Sequence, residues 1–242
     1  MALGSQPRWT VRSAGTVVGG IDAGLRDYML RVYNYMASGL ALTGIVAYAA
    51  AHGGRDSLIA HIYATPLMWL VILAPLGLVM LMSFGVNRMQ ASTLQGVFWL
   101  YSGLMGLSLS TVFLVYTGTS IARVFFITAG TFAAMSLYGY TTQRDLAQFG
   151  SFLFMGLIGI IIAGLVNMFL ASSALQFAIS VIGVVVFTGL TAWDTQQIKE
   201  MYWEADGSEI AGKKAIMGAL RLYLDFINLF MMLMQLMGNR RD

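Results

Sequence analysis

Long uncharged runs separated by short polar breaks organise the chain. The first run spans about Tyr28–Ala51, with Arg31 at its entrance. Ser57–Asn87 holds no Asp, Glu, Lys or Arg and predicts a second helix over about Pro66–Phe84. Gly96–Ala122 is 27 residues without charge, which predicts a third helix over about Ser92–Tyr116. Tyr116-Thr117-Gly118-Thr119-Ser120 reads as a turn, and a fourth helix follows over about Ala122–Tyr140. Leu146–Trp193 is 48 residues without a charge, too long for one crossing and sufficient for two, with the break near Ala171-Ser172-Ser173. A seventh helix covers about Ala215–Met237. One crossing of a hydrocarbon core takes roughly 20 residues. The pattern therefore predicts an all-α, polytopic membrane protein with seven transmembrane helices. A polar tail occupies 1–27 and a single transmembrane domain 28–242.

Composition narrows the class. Of 242 residues, 58% are hydrophobic and 10% charged, against about 25% charged in a typical soluble domain. Mean hydropathy is +0.73. A soluble protein so poor in charge would expose apolar patches larger than such proteins carry. The net charge of +3 is too small and too dispersed for a nucleic-acid partner; the expected partner is the lipid bilayer. With no cysteine and only His52 and His61, thiolate or histidine-rich metal sites are excluded. There is no HExxH motif and no histidine within the spans to serve a serine dyad, so an enzyme is not expected, and neither is a cofactor.

Basic residues set an expected orientation. With the N-terminus in the cytosol, the inner segments hold Arg8, Arg12, Arg26, Arg31, Arg88, Arg144, Lys199, Lys213 and Lys214. The outer segments hold only Arg55, Arg123, Arg240 and Arg241. This bias favours a cytosolic N-terminus. Small residues four apart, Gly39/Thr43, Ser102/Gly106 and Gly159/Ala163, suit close helix contacts in lipid.

Acids are scarce enough to place one by one. Of eleven, nine fall in the tail, the loops or the C-terminus: Asp22, Asp27, Asp56, Asp145, Glu200, Glu204, Asp206, Glu209 and Asp242. Asp194 closes the sixth span, and Asp225 lies about ten residues, or about 15 Å, into the seventh. An ionisable group at that depth marks a functional site by default. Arg221, Asp225, Asn228 and Gln235 share one helical face. Thr188, Thr191 and Asp194 share another on the sixth helix, and Arg31, Asn34 and Ser38 a third on the first. Such stripes avoid lipid, and they could converge near the cytosolic side. Should Asp194 and Asp225 meet, they titrate as a unit. With a proton the pair shares a hydrogen bond; without it the carboxylates repel and attract a hard cation such as calcium. A solvated helix-end role for Asp194 and a static Arg221–Asp225 salt bridge remain the alternatives.

The stretch Met217-Gly218-Ala219-Leu220-Arg221-Leu222-Tyr223-Leu224-Asp225-Phe226-Ile227-Asn228-Leu229-Phe230 resembles the last-helix signature of the Bax inhibitor-1 family. Asp194-Thr195-Gln196-Gln197-Ile198 resembles the signature after that family's sixth helix, and Ser83-Phe84-Gly85-Val86-Asn87-Arg88 the end of its second. The tail and loops look like bacterial members. The resemblance implies a seven-helix fold with the last helix central, placed in a bacterial inner membrane. It implies a pH-sensitive calcium-permeable leak channel gated by an aspartate pair, matched here by Asp194 and Asp225, which would bind calcium transiently. Arg88 and Arg221 are placed to compensate that pair, and Asn228 and Thr191 to line it with polar groups. The alternative function is a regulatory membrane protein that binds a membrane-bound ATP-dependent protease or a stress-response partner through the tail and the Lys199–Lys214 loop. A proton-coupled transporter using Asp225 also stays open.

Overall fold

The computed structural model describes residues 23–241, so most of the expected tail lies outside the described residues. Its helices are α1 (Ala23–Ala51), α2 (Leu58–Tyr63), α3 (Leu67–Gly85), α4 (Ala91–Val115), α5 (Gly118–Thr141), α6 (Ala147–Leu170), α7 (Ser173–Glu200) and α8 (Ser208–Met237). A short 3₁₀ turn, Gly54–Asp56, joins α1 to α2. The described residues contain no strand, only an isolated bridge between Tyr116 and Arg240. The protein is thus all-helical. Six helices, α3 to α8, are long and apolar enough to cross a membrane. Although α1 has the length, Arg26, Asp27, Arg31 and Asn34 crowd its first turns, and it does not reach that standard.

Several boundaries move from their expected places. The first helix begins at Ala23, five residues early. The expected five-residue turn at Tyr116 shrinks to Tyr116 and Thr117, because α5 already starts at Gly118. The break between α6 and α7 falls where serine marks it. Ala171 takes a left-handed φ of 47°, and the Asn167 side chain accepts from the Ser172 amide. Asp194 does not close its helix, because α7 continues to Glu200. The Lys199–Lys214 loop shrinks to residues 201–207, since α8 starts at Ser208. Glu209 in its first turn is well placed against the helix dipole. It also accepts from the Ala91 amide at the start of α4 and pairs with Lys213 at 3.5 Å.

Packing concentrates on the last helix. α8 contacts α1, α4, α5 and α7. In its most apolar stretch 67% of residues are buried, against 17% in α3 and in α6, which present their sides to the surroundings. α1 and α4 approach closely because Gly106 has no side chain, and a Cβ there would lie 2.7 Å from the Thr43 carbonyl oxygen. Two of the small-residue pairs, Gly39/Thr43 and Ser102/Gly106, sit at this contact. The third does not act this way, because Gly159 is exposed with open space around it. At Gly139 the backbone of α5 meets that of α7, and a Cβ would fall 2.1 Å from the Ala192 carbonyl oxygen.

Pro75 interrupts α3 without breaking it. Proline has no amide hydrogen for the carbonyl four residues back. That carbonyl, on Val71, instead accepts from the Ser108 hydroxyl of α4 at 3.1 Å. In hydrocarbon no water is present to satisfy it otherwise.

Candidate functional site

The polar stripe on α8 divides. Asp225 is 5% exposed and faces α7. Its Oδ2 is fully buried, with no hydrogen-bond donor among the described residues. Asp194 of α7, its side chain 13% exposed, brings its carboxyl within side-chain hydrogen-bonding range of Asp225. Two ionised carboxylates are acceptors only, so the contact becomes a hydrogen bond when a proton sits between them.

Arg221, one turn before Asp225, does not form with it the salt bridge of the alternative reading. Its Nη1 lies 3.8 Å from Asp194 Oδ1, and its side chain is 48% exposed. A pair so open and so long contributes only about 0–1 kcal/mol. Asp194 is therefore an interhelix residue facing both Arg221 and Asp225, and the solvated-end alternative for it does not hold. Arg88 is exposed in the turn after α3, and among the described residues neither aspartate forms an ion pair with it.

The polar lining points elsewhere. Thr191 is buried, but its hydroxyl donates to the Phe187 carbonyl at 2.8 Å. Asn228 donates its amide to the Leu224 carbonyl at 2.8 Å. Thr188 Oγ1 is buried without a partner among the described residues. No third acid or histidine joins the aspartates, and no metal-sized cluster occurs among the described residues. A hard cation takes six to eight oxygens, so two carboxylates hold one only where water supplies most of the shell.

Two predicted members of the stripes lie apart. Gln235 is ten residues beyond Asp225, about 15 Å along the helix. There its Oε1 accepts from Gln176 Nε2 and from the Ser180 hydroxyl. On α1, Arg31, Asn34 and Ser38 are exposed, and the Ser38 hydroxyl turns back to the Asn34 carbonyl. The inward polar residues of α1 include Tyr28, Tyr33 and Thr43, which neither charge nor motif marks as chemistry. The Thr43 hydroxyl donates its single hydrogen to the Gly39 and Ser102 carbonyls, so Tyr223 donates to Thr43 Oγ1 at 2.7 Å. This contact ties α1, α4 and α8 two residues before Asp225 on α8. The Gly39/Thr43 spacing is its signal in the sequence, visible only as packing.

A family model described as Inhibitor of apoptosis-promoting Bax1 matches residues 25–242. An uncharacterized protein of Rickettsia prowazekii (strain Madrid E) is 55% identical over 221 residues, covering 91% of this chain and 93% of the relative. Inner membrane protein YbhL of Escherichia coli (strain K12) is 50% identical over 223 residues, covering 90% and 94%. An uncharacterized protein of Borreliella burgdorferi (strain ATCC 35210 / DSM 4680 / CIP 102532 / B31) is 46% identical over 217 residues, covering 89% and 93%. With apolar helices of crossing length and a match along nearly its whole length, this membrane protein belongs to the Bax inhibitor-1 family.

Proposed function

We propose that the protein is a pH-sensitive, calcium-permeable leak channel of an inner membrane, with Asp194 and Asp225 as its proton sensor. In this reading α1 is the seventh crossing, α8 is the central helix, and the N-terminus faces the cytosol. One observation carries the reading: the Asp225 carboxyl lies beside that of Asp194, and one of its buried oxygens lacks a donor among the described residues. With a proton between them, the two groups hold α7 against α8. Without it, like charges repel at close range in a medium of low dielectric, and the helices gain a reason to part. The freed carboxylates then attract a hard divalent cation. Flux accordingly rises as pH rises.

The test is calcium efflux from proteoliposomes of the full chain, measured from about pH 6 to pH 8, a range that coupled carboxylates reach. The wild type is expected to conduct more at the upper end. Asp225→Asn and Asp194→Asn keep the shape of the pair and remove its charge, and each is expected to abolish the pH response. An unchanged response in both variants, or a wild type that does not conduct, overturns the proposal.

A further inference from the structure

A groove of about 640 Å³ runs along the side of the bundle between α1 and α5. These helices are bridged by the Tyr33–Ser136 hydrogen bond at 2.6 Å, and their backbones do not pack closely. Both lean instead on α8, whose Phe226 forms part of the groove's floor. The walls are apolar: Met29, Met36 and Leu40 from α1 face Ala129, Phe132 and Ala133 from α5.

The polar groups on the floor are already committed. Thr195 donates its hydroxyl hydrogen to the Thr191 carbonyl at 2.7 Å. Ser136 therefore donates to Thr195 at 2.9 Å, and Tyr33 donates to Ser136. Tyr33, Ser136 and Thr195 thus have no hydroxyl hydrogen left to point into the groove, and with its apolar walls this stretch suits hydrocarbon better than water.

Charge is confined to one end. Arg26 is the charged residue among those that line the groove. Tyr140, which also lines the groove, carries a second cation: Lys199 donates to the Tyr140 carbonyl at 2.8 Å and sits 5.3 Å over its ring. From Arg26 to Leu40 is fourteen residues of helix, about 21 Å. Half a bilayer, headgroups included, measures about 20–22 Å.

We propose that this groove is a binding site for one anionic phospholipid of the leaflet at the α1 start. An acyl chain lies along Tyr33 and Phe226, and the phosphodiester meets Arg26 and Lys199. The match of length, dryness and one-ended positive charge is what selects this occupant. The site does not depend on calcium conduction.

Native mass spectrometry of the full chain, supplied with phosphatidylglycerol or phosphatidylethanolamine of matched chains, tests the proposal. The wild type is expected to retain phosphatidylglycerol preferentially. Arg26→Gln is expected to lower that retention about five-fold, the contribution of one basic residue near an anionic surface. Ala133→Trp fills the groove from an exposed position and is expected to remove retention of both lipids, while Leu165→Trp on the exposed face of α6 leaves it unchanged. Equal retention of the two lipids by the wild type overturns the headgroup assignment. Undiminished retention in Ala133→Trp, or an equal loss in Leu165→Trp, overturns the site.

Discussion

Two polar clusters interrupt the apolar interface of α7 with α8, and they are built on opposite rules. Near the cytosolic end of α7 in the proposed orientation, Asp194, Asp225 and Arg221 are charged or chargeable, and Asp225 Oδ2 has no donor among the described residues. Toward the other end, Gln176, Ser180 and Gln235 join Asn167 of α6 in a neutral network. There every contact matches a donor with an acceptor. Asn167 Nδ2 donates to Gln176 Oε1 at 3.1 Å, and Ser180 donates to Gln235 Oε1 at 2.7 Å. A neutral network of this kind holds helices together at any ordinary pH. A carboxyl pair holds them only while a proton is present. In the proposed reading, one interface thus carries a permanent fastening at one end and a conditional one at the other, which is the arrangement a pivot needs.

The comparison breaks most visibly at Asp225. Asp225→Asn turns the conditional end into a permanent one, and the pH response of flux in proteoliposomes is expected to vanish completely. Gln235→Leu does the reverse at the far end. It removes the acceptor of the half-buried Gln176 amide and one of the two acceptors of the Ser180 hydroxyl, which keeps the Gln176 carbonyl, and is expected to cost about 0.5–1.5 kcal/mol of stability, read as a lower unfolding temperature in detergent with the pH response intact. Thr43→Val removes a contact between α1, α4 and α8 outside this interface. The expected loss is about 0.6 kcal/mol, the mean for interhelical hydrogen bonds in membranes, by the same thermal assay. Arg221→Gln sharpens the comparison most finely. The half-exposed pair with Asp194 contributes about 0–1 kcal/mol, so unfolding temperature is expected to stay almost constant while flux remains responsive to pH. A large loss of stability in Arg221→Gln would show that the conditional end is held by the salt bridge and not by the proton.

Much of this architecture is written in the distribution of charge. The gaps between charged residues locate α3, α4, α6 and α7, because hydrocarbon tolerates no substitute for them. Scarcity of acid likewise isolates Asp194 and Asp225 by their positions along the chain alone. What charge cannot report is direction around a helix. The Arg31, Asn34 and Ser38 stripe obeys helical spacing yet faces outward, because spacing fixes which residues share a face and leaves open where that face points. Gln235 shares a face with Asp225 by angle and lies about 15 Å away by rise, so one stripe serves two clusters. Helix ends mislead for a different reason. Asp194 resembles a terminus because charge usually ends a span, whereas here its neighbours across α8 allow the helix to continue to Glu200. The early start of α8 is readable from Gly207 and Glu209, a cap position and a first-turn acid.

The Ser108–Val71 bond bears on how the chain is put into the membrane. Pro75 leaves α3 with a backbone carbonyl that its own helix does not satisfy. Alone in lipid, α3 would carry that bare dipole at a cost of several kcal/mol. Beside α4 the dipole is quenched by a serine. The two helices, joined by residues 86–90, are therefore expected to partition from the translocation machinery as a hairpin. Ser108→Ala would then slow biogenesis more than it weakens the finished bundle.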